Sequence, residues 1–173
     1  MSVFLHKEKV TVKRFLYGLI TGIVLYTSTT NASDEISFGL GMGAMYSGLG
    51  MNIGLRSEND FRYLSAGAIA LGYSDTEGSI VAYGLGGGWI RSDLLPTSND
   101  RHGLGVYLGP VGYRGRRYVG DPIETIYGAG VTYAYFLHGI GRPSTNLGLT
   151  LAAGENDQGD TGGYLLLQAG YQY

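Results

Sequence analysis

The chain has 173 residues, 31 of them glycine and 15 tyrosine, with no cysteine, 15% charged residues and a formal net charge of −2. Such a length suits one domain with a packed core, and a hydrophobic content of 44% excludes a disordered polar chain. The lack of cysteine excludes disulfides and thiolate metal sites, and the lack of a strict G-X-Y period excludes collagen.

All three lysines, Lys7, Lys9 and Lys13, fall before residue 14 and form a basic stretch with Arg14. The apolar run Phe15–Tyr26 follows, and then the small residues of 27–33, in which Thr30 and Ala32 are spaced as in an A-x-A-like cleavage site. The run is too short for a helix that must cross a hydrocarbon core with about 20 residues. The pattern predicts a signal peptide over 1–32, cut after Ala32, and an exported domain over 33–173. That domain of 141 residues holds eight arginines and thirteen acidic residues, a formal charge of −5. No basic field remains, so a nucleic-acid partner is not expected.

From residue 36 onwards a period of two recurs, with large apolar residues on one face and glycine, alanine or small polar residues on the other. Segment one (36–45) sets Ile36, Phe38, Leu40 and Met42 against Ser37, Gly39, Gly41 and Gly43. A turn at 46–48 leads to segment two, where Leu49, Met51, Ile53 and Leu55 oppose Gly50, Asn52, Gly54 and Arg56. After the polar turn 57–60, segment three (61–73) is the least clear, its two faces blurred by Leu64, Ala66, Ala68 and Ala70. Beyond 74–78, segment four opposes Val81, Tyr83, Leu85 and Trp89 to Ala82, Gly84, Gly86 and Gly88.

Segment five opposes Leu104, Val106 and Leu108 to Gly103, Gly105, Tyr107 and Gly109. Pro110, which cannot donate to a ladder, predicts a bulge or the point where this strand leaves the sheet. Segment six places Tyr127, Ala129, Val131, Tyr133 and Tyr135 opposite Gly128, Gly130, Thr132 and Ala134. Segment seven places Leu147, Leu149 and Leu151 opposite Gly148, Thr150 and Ala152. Segment eight closes the chain with Leu165, Leu167, Ala169, Tyr171 and Tyr173 opposite Leu166, Gln168, Gly170 and Gln172. Segments of about 9–13 residues approach the length of a tilted transmembrane strand. The charged residues after residue 33 lie in the intervening turns or at segment ends. Lipid-facing arginine at mid-depth costs about 2–4 kcal/mol, so a membrane barrel would confine its charges in this way.

The fold class expected is therefore all-β, an eight-stranded antiparallel transmembrane up-and-down β-barrel. The C-terminal residues sharpen it. A terminal aromatic, Tyr173, with Leu165, Leu167, Ala169 and Tyr171 at every second position before it, resembles the last strand of bacterial outer-membrane β-barrels. The resemblance covers about 34–173 and is to the small eight-stranded class. It implies a monomer in the cell outer membrane, in contact with lipid and lipopolysaccharide, whose last strand is read by the barrel-assembly machinery. With the N-terminus inside, the outer loops would be 46–48, 74–78, 114–123 and 155–162. Tyr73, Tyr83, Trp89, Tyr113, Tyr127, Tyr135, Tyr171 and Tyr173 are candidates for interfacial aromatic girdles.

No catalytic, cofactor or metal site is expected. Ser98, Asp100 and His102 have the residue types of a hydrolytic triad, but such close spacing on one turn rarely aligns nucleophile, base and orienter. The strings Gly39–Gly43 and Gly84–Gly88 lack the strand-to-helix setting of a phosphate loop. Arg114, Arg116 and Arg117 are candidates for contact with lipopolysaccharide phosphates or with the acidic loop of Glu155, Asp157 and Asp160. Inside, Tyr107, Ile126, Tyr164 and Leu166 are expected to fill the space over the glycines, or else to line a narrow acyl-chain cavity. The expected role is structural or surface-interacting. The alternatives are a lipid-binding or lipid-modifying barrel and a soluble exported ligand-binding barrel.

Overall fold

A computed structural model describes residues 34–74, 78–97, 99–114, 123–155, 159 and 161–173, with backbone alone over 71–74 and 78–80. Eight antiparallel strands form a closed barrel in simple chain order: β1 (Glu35–Gly43), β2 (Gly48–Arg56), β3 (Asp60–Ser74), β4 (Gly78–Arg91), β5 (His102–Arg114), β6 (Glu124–Phe136), β7 (Ser144–Glu155) and β8 (Thr161–Gln172). The ring closes where β8 pairs with β1, from Gly39↔Gln172 to Met42↔Ala169. The proposed signal peptide and its cleavage residue Ala32 lie outside the described residues.

Alternation decides which side chains meet water or lipid and which meet each other. Ile36, Tyr83 and Leu167 on the outer face are 77%, 72% and 71% exposed. Residues of the other parity, such as Ser37, Tyr107, Thr132, Ala134 and Asn146, are buried in the interior. Pro110 marks a bulge, the register against β6 shifting between Pro110 and Gly112. The strand does not leave the sheet there: it continues to Arg114, which pairs with Glu124. A bulged strand keeps its neighbour because only one ladder position is lost. A second bulge, between Ala68 and Ala70, explains the blurred faces of the third segment. An extra residue reverses the in–out parity partway along β3.

Strand lengths are unequal, and this shapes the interior. The last pair between β2 and β3 is Leu49↔Ala68, yet β3 continues to Ser74 alongside β4. Likewise β8 starts at Thr161 alongside β7 but first pairs with β1 at Ala169. The β1–β2 hairpin therefore stops about halfway up the wall, while its neighbours on both sides continue. All eight strands complete the ring only in the lower half, the half that holds both Glu35 and Tyr173.

Candidate functional site: the barrel interior

The short hairpin does not end in a surface loop. Ala44–Tyr46 form one turn of 3-10 helix, and these residues and Ser47 are all buried. The expected outer turn at 46–48 is thus folded into the barrel. Gly43 and Gly48 both have φ of +98°, and Ser47 is left-handed with φ of 54°. Gly43 lies in a region that is open essentially to glycine alone, and a Cβ there would also strike the Leu167 carbonyl. These backbone settings let the turn reverse into the lumen.

Inward glycines make room for it. A side chain at Gly41 or Gly170 would occupy the position of the Tyr46 ring, and one at Gly50 or Gly67 would meet the Tyr46 carbonyl oxygen. Polar wall residues then satisfy the plug, as buried polar groups require. Asn146 Nδ2 donates to the Tyr46 hydroxyl at 2.6 Å, and Asn52 Nδ2 donates to the Met45 carbonyl at 3.2 Å. Ser47 and Ser65 share a hydroxyl hydrogen bond of 2.7 Å. Gln172 Nε2 donates to Asn52 Oδ1 at 2.7 Å and to Ser37 Oγ at 3.1 Å, tying the last strand to the first two.

Two apolar layers result. In the lower layer Met45 and Tyr46 pack with Phe61, Tyr63, Ile90, Phe136 and Ile140, all nearly inaccessible. Ile140 comes from the β6–β7 turn, so this layer is capped from below as well as plugged from above. In the upper layer Ala44 packs with Tyr107, Val111, Ile126 and Ala152, with Tyr164 and Leu166 against them. Tyr107, Ile126, Tyr164 and Leu166, the inward residues expected to fill the lumen, thus meet in one place. They fill only part of it. Tyr164 and Leu166 remain partly accessible, unlike the large side chains of the lower layer.

Among the described residues, charge lies at the strand ends and in the turns. Arg56 is buried at the lower mouth, where its guanidinium reaches Glu35 Oε2 and the Tyr173 carbonyl, each at 3.4 Å. Asp60 accepts from Arg62 at 2.9 Å and from the Trp89 indole at 3.0 Å, and Arg62 and Arg91 both lie over the Trp89 ring. Arg91 also holds Asp93, whose carboxyl is below the usual carboxylate range because this guanidinium donates to it.

The remaining candidates separate. Leu165, Leu167, Ala169, Tyr171 and Tyr173 share the outer face of β8 and its end, and Tyr173 stacks on Phe38 of β1 at 4.6 Å. Arg114 ends β5 opposite Glu124, whereas Arg116, Arg117, Asp157 and Asp160 lie outside the described residues. His102 shares a 2.7 Å hydrogen bond between Nδ1 and the Tyr133 hydroxyl, not with Asp100, and Ser98 is outside the described residues. The two glycine strings run within β1 and β4, without the helix that a phosphate loop needs. Alternation alone does not reveal the inward turn or its polar anchors. The available signal was Ala44-Met45-Tyr46, unusually apolar for a surface turn.

No family model, curated protein or solved structure matches this chain.

Proposed function

We propose that this chain is an integral outer-membrane β-barrel protein with a structural or surface-interaction role and no reaction of its own. The observation that carries the reading is the outer surface. Phe38, Leu40, Met51, Ile53, Leu85, Val106, Val131, Leu149, Leu151 and Leu165 are exposed around the barrel wall, with charges kept to the strand ends and turns. Monomeric soluble proteins rarely expose contiguous apolar patches beyond about 300–600 Å². Closure supports the reading too, because backbone groups in hydrocarbon must pair within the protein. Tyrosines bound the apolar band: Tyr83, Tyr113 and Tyr127 towards one rim, Tyr135, Tyr171 and Tyr173 with Trp89 towards the other.

On this reading the outer face of β8, from Leu165 to Tyr173, serves the barrel-assembly machinery, and Arg114, Arg116 and Arg117 face lipopolysaccharide phosphates. The test is membrane fractionation with heat-dependent gel migration. Protein that stays with the outer membrane after alkaline extraction and migrates faster unheated than boiled supports the proposal. Release into the soluble fraction would overturn it in favour of an exported soluble barrel. A second reading, a barrel that binds lipid acyl chains, is favoured by the shortened β1–β2 hairpin and the partly filled upper layer.

A further inference from the structure

The unequal strands leave an opening in the wall. Above the β1–β2 turn, β3 extends through 69–74 and β8 through 161–168, and among the described residues no strand pairs with their facing edges. Six residues of strand rise by about 20 Å along the strand, and bridging from β3 to β8 takes three inter-strand steps, about 14 Å. Tyr164 and Leu166 on the β8 edge of this opening pack against the upper layer, which includes Ala44 of the inward turn.

The edge beside the opening carries a specific signature. Elsewhere the inner face of the wall is mostly glycine or small polar residues opposite a large apolar outer face. At Tyr164-Leu165-Leu166-Leu167 both faces are apolar: Leu165 and Leu167 point outward and are exposed, while Tyr164 and Leu166 point inward against Tyr107, Val111, Ile126 and Ala152. Strand residues that meet apolar surroundings on both faces read as a continuous apolar run. Here the inner surroundings are only partly supplied by protein. At the foot of the opening Gln168 is 4% exposed, and neither side-chain amide atom has a hydrogen-bond partner. The side chains of the upper-layer cluster are all apolar, and the nearest described charges of the same parity, Arg114 and Glu124, pair one inward position above Gly112 and Ile126 at the rim.

We propose that the upper layer is a binding site for one acyl chain of a surrounding membrane lipid, admitted sideways between β3 and β8. The proposal rests on the membrane reading above. The chain lies against the partly accessible Tyr164 and Leu166, above the packed Ala44, Tyr107, Ile126 and Ala152, while the lipid's ester group stays at the opening. Carbonyl oxygens there accept from backbone N–H groups of the strand edges, which hydrocarbon could not satisfy. An acyl chain fits better than a polar solute, because the accessible inward side chains Tyr164 and Leu166 pack on an apolar cluster and the described charges stand at the rim. It fits better than a transported solute because Met45, Tyr46 and Ile140 fill the lower layer.

Tryptophan fluorescence in vesicles of brominated phosphatidylcholine tests this in the full chain. Trp89 is the sole tryptophan, so the background is Trp89→Phe. Three single variants report from different places: Leu165→Trp on the outer face, Tyr164→Trp in the upper layer, and Tyr63→Trp in the closed lower layer. Each is first checked for folding by heat-dependent migration, and Leu166→Trp replaces Tyr164→Trp should the latter not fold. The expected result is that Leu165→Trp and Tyr164→Trp lose emission to a similar extent on bromination, with little effect of aqueous acrylamide. Tyr63→Trp, behind an equally thin wall, should lose much less. Quenching at Tyr164→Trp by acrylamide instead means a water-filled layer and overturns the proposal. Quenching there no greater than at Tyr63→Trp means that protein or nothing occupies it, and overturns it as well. Loss of quenching at Leu165→Trp would be the separate failure of the membrane reading.

Discussion

Single residues hold the inward turn in place. Gly43 and Gly48 combine a positive φ with no room for a Cβ, the nearest atoms being backbone carbonyls of β8 and β3. Gly43→Ala or Gly48→Ala should therefore lower stability by at least about 1–3 kcal/mol, seen as an earlier urea midpoint in detergent or lipid. Tyr46→Phe removes the hydroxyl that accepts from Asn146 and leaves a buried amide donor without a partner. The expected cost is about 1–3 kcal/mol, and Tyr46→Phe with Asn146→Leu should recover part of it. Asp93 is different. Its depressed carboxyl contributes stability above its unfolded pKa, and that contribution is lost as pH falls through the lower folded value. The pair is solvent-exposed and screened, so Asp93→Asn should lower the thermal midpoint at neutral pH only slightly.

At the scale of elements, β8 is the most informative strand. It closes the ring with its lower half, borders the opening with its upper half and carries the terminal aromatic. Leu167 sits midway along it and faces outward. If that face meets hydrocarbon, Leu167→Arg should cost about 2–4 kcal/mol, while Thr161→Arg at the strand end should cost about 0–1 kcal/mol. Equal effects at the two positions, measured by urea titration in vesicles, would argue against a buried outer face. The bulges show how an element departs from its pattern. Pro110 announced one in the sequence because proline lacks the N–H that a ladder needs. The Ala68–Ala70 bulge left only a loss of alternation, since alanine is compatible with either face.

For the whole molecule, the closed lower layer separates this barrel from a pore. Met45 and Tyr46 from above and Ile140 from below leave the lower lumen filled with side chains at nearly zero exposure. Planar bilayers containing the protein should therefore show no steady ionic conductance, and a large, voltage-independent conductance would contradict the packing. If the proposed contact with lipopolysaccharide exists, replacing Arg114, Arg116 and Arg117 together with alanine should weaken lipopolysaccharide binding, and unchanged binding would count against it. Of these arginines, Arg114 ends β5 at its pair with Glu124.

Strand count, facing and the confinement of charge were all legible in the sequence, because a period of two assigns each side chain to a face whatever the neighbours are. The positions of Tyr107, Ile126, Tyr164 and Leu166 inside the barrel follow from that parity. Parity carries no information about how high each hairpin stands in the wall. The halting of β1 and β2 midway, the reversal of Ala44–Tyr46 into the lumen and the meeting of Tyr46 with Asn146 depend on register between strands distant in sequence. Register is set only when eight strands close on one another, and the glycines that seemed a plain inner lining then become the space in which the plug fits.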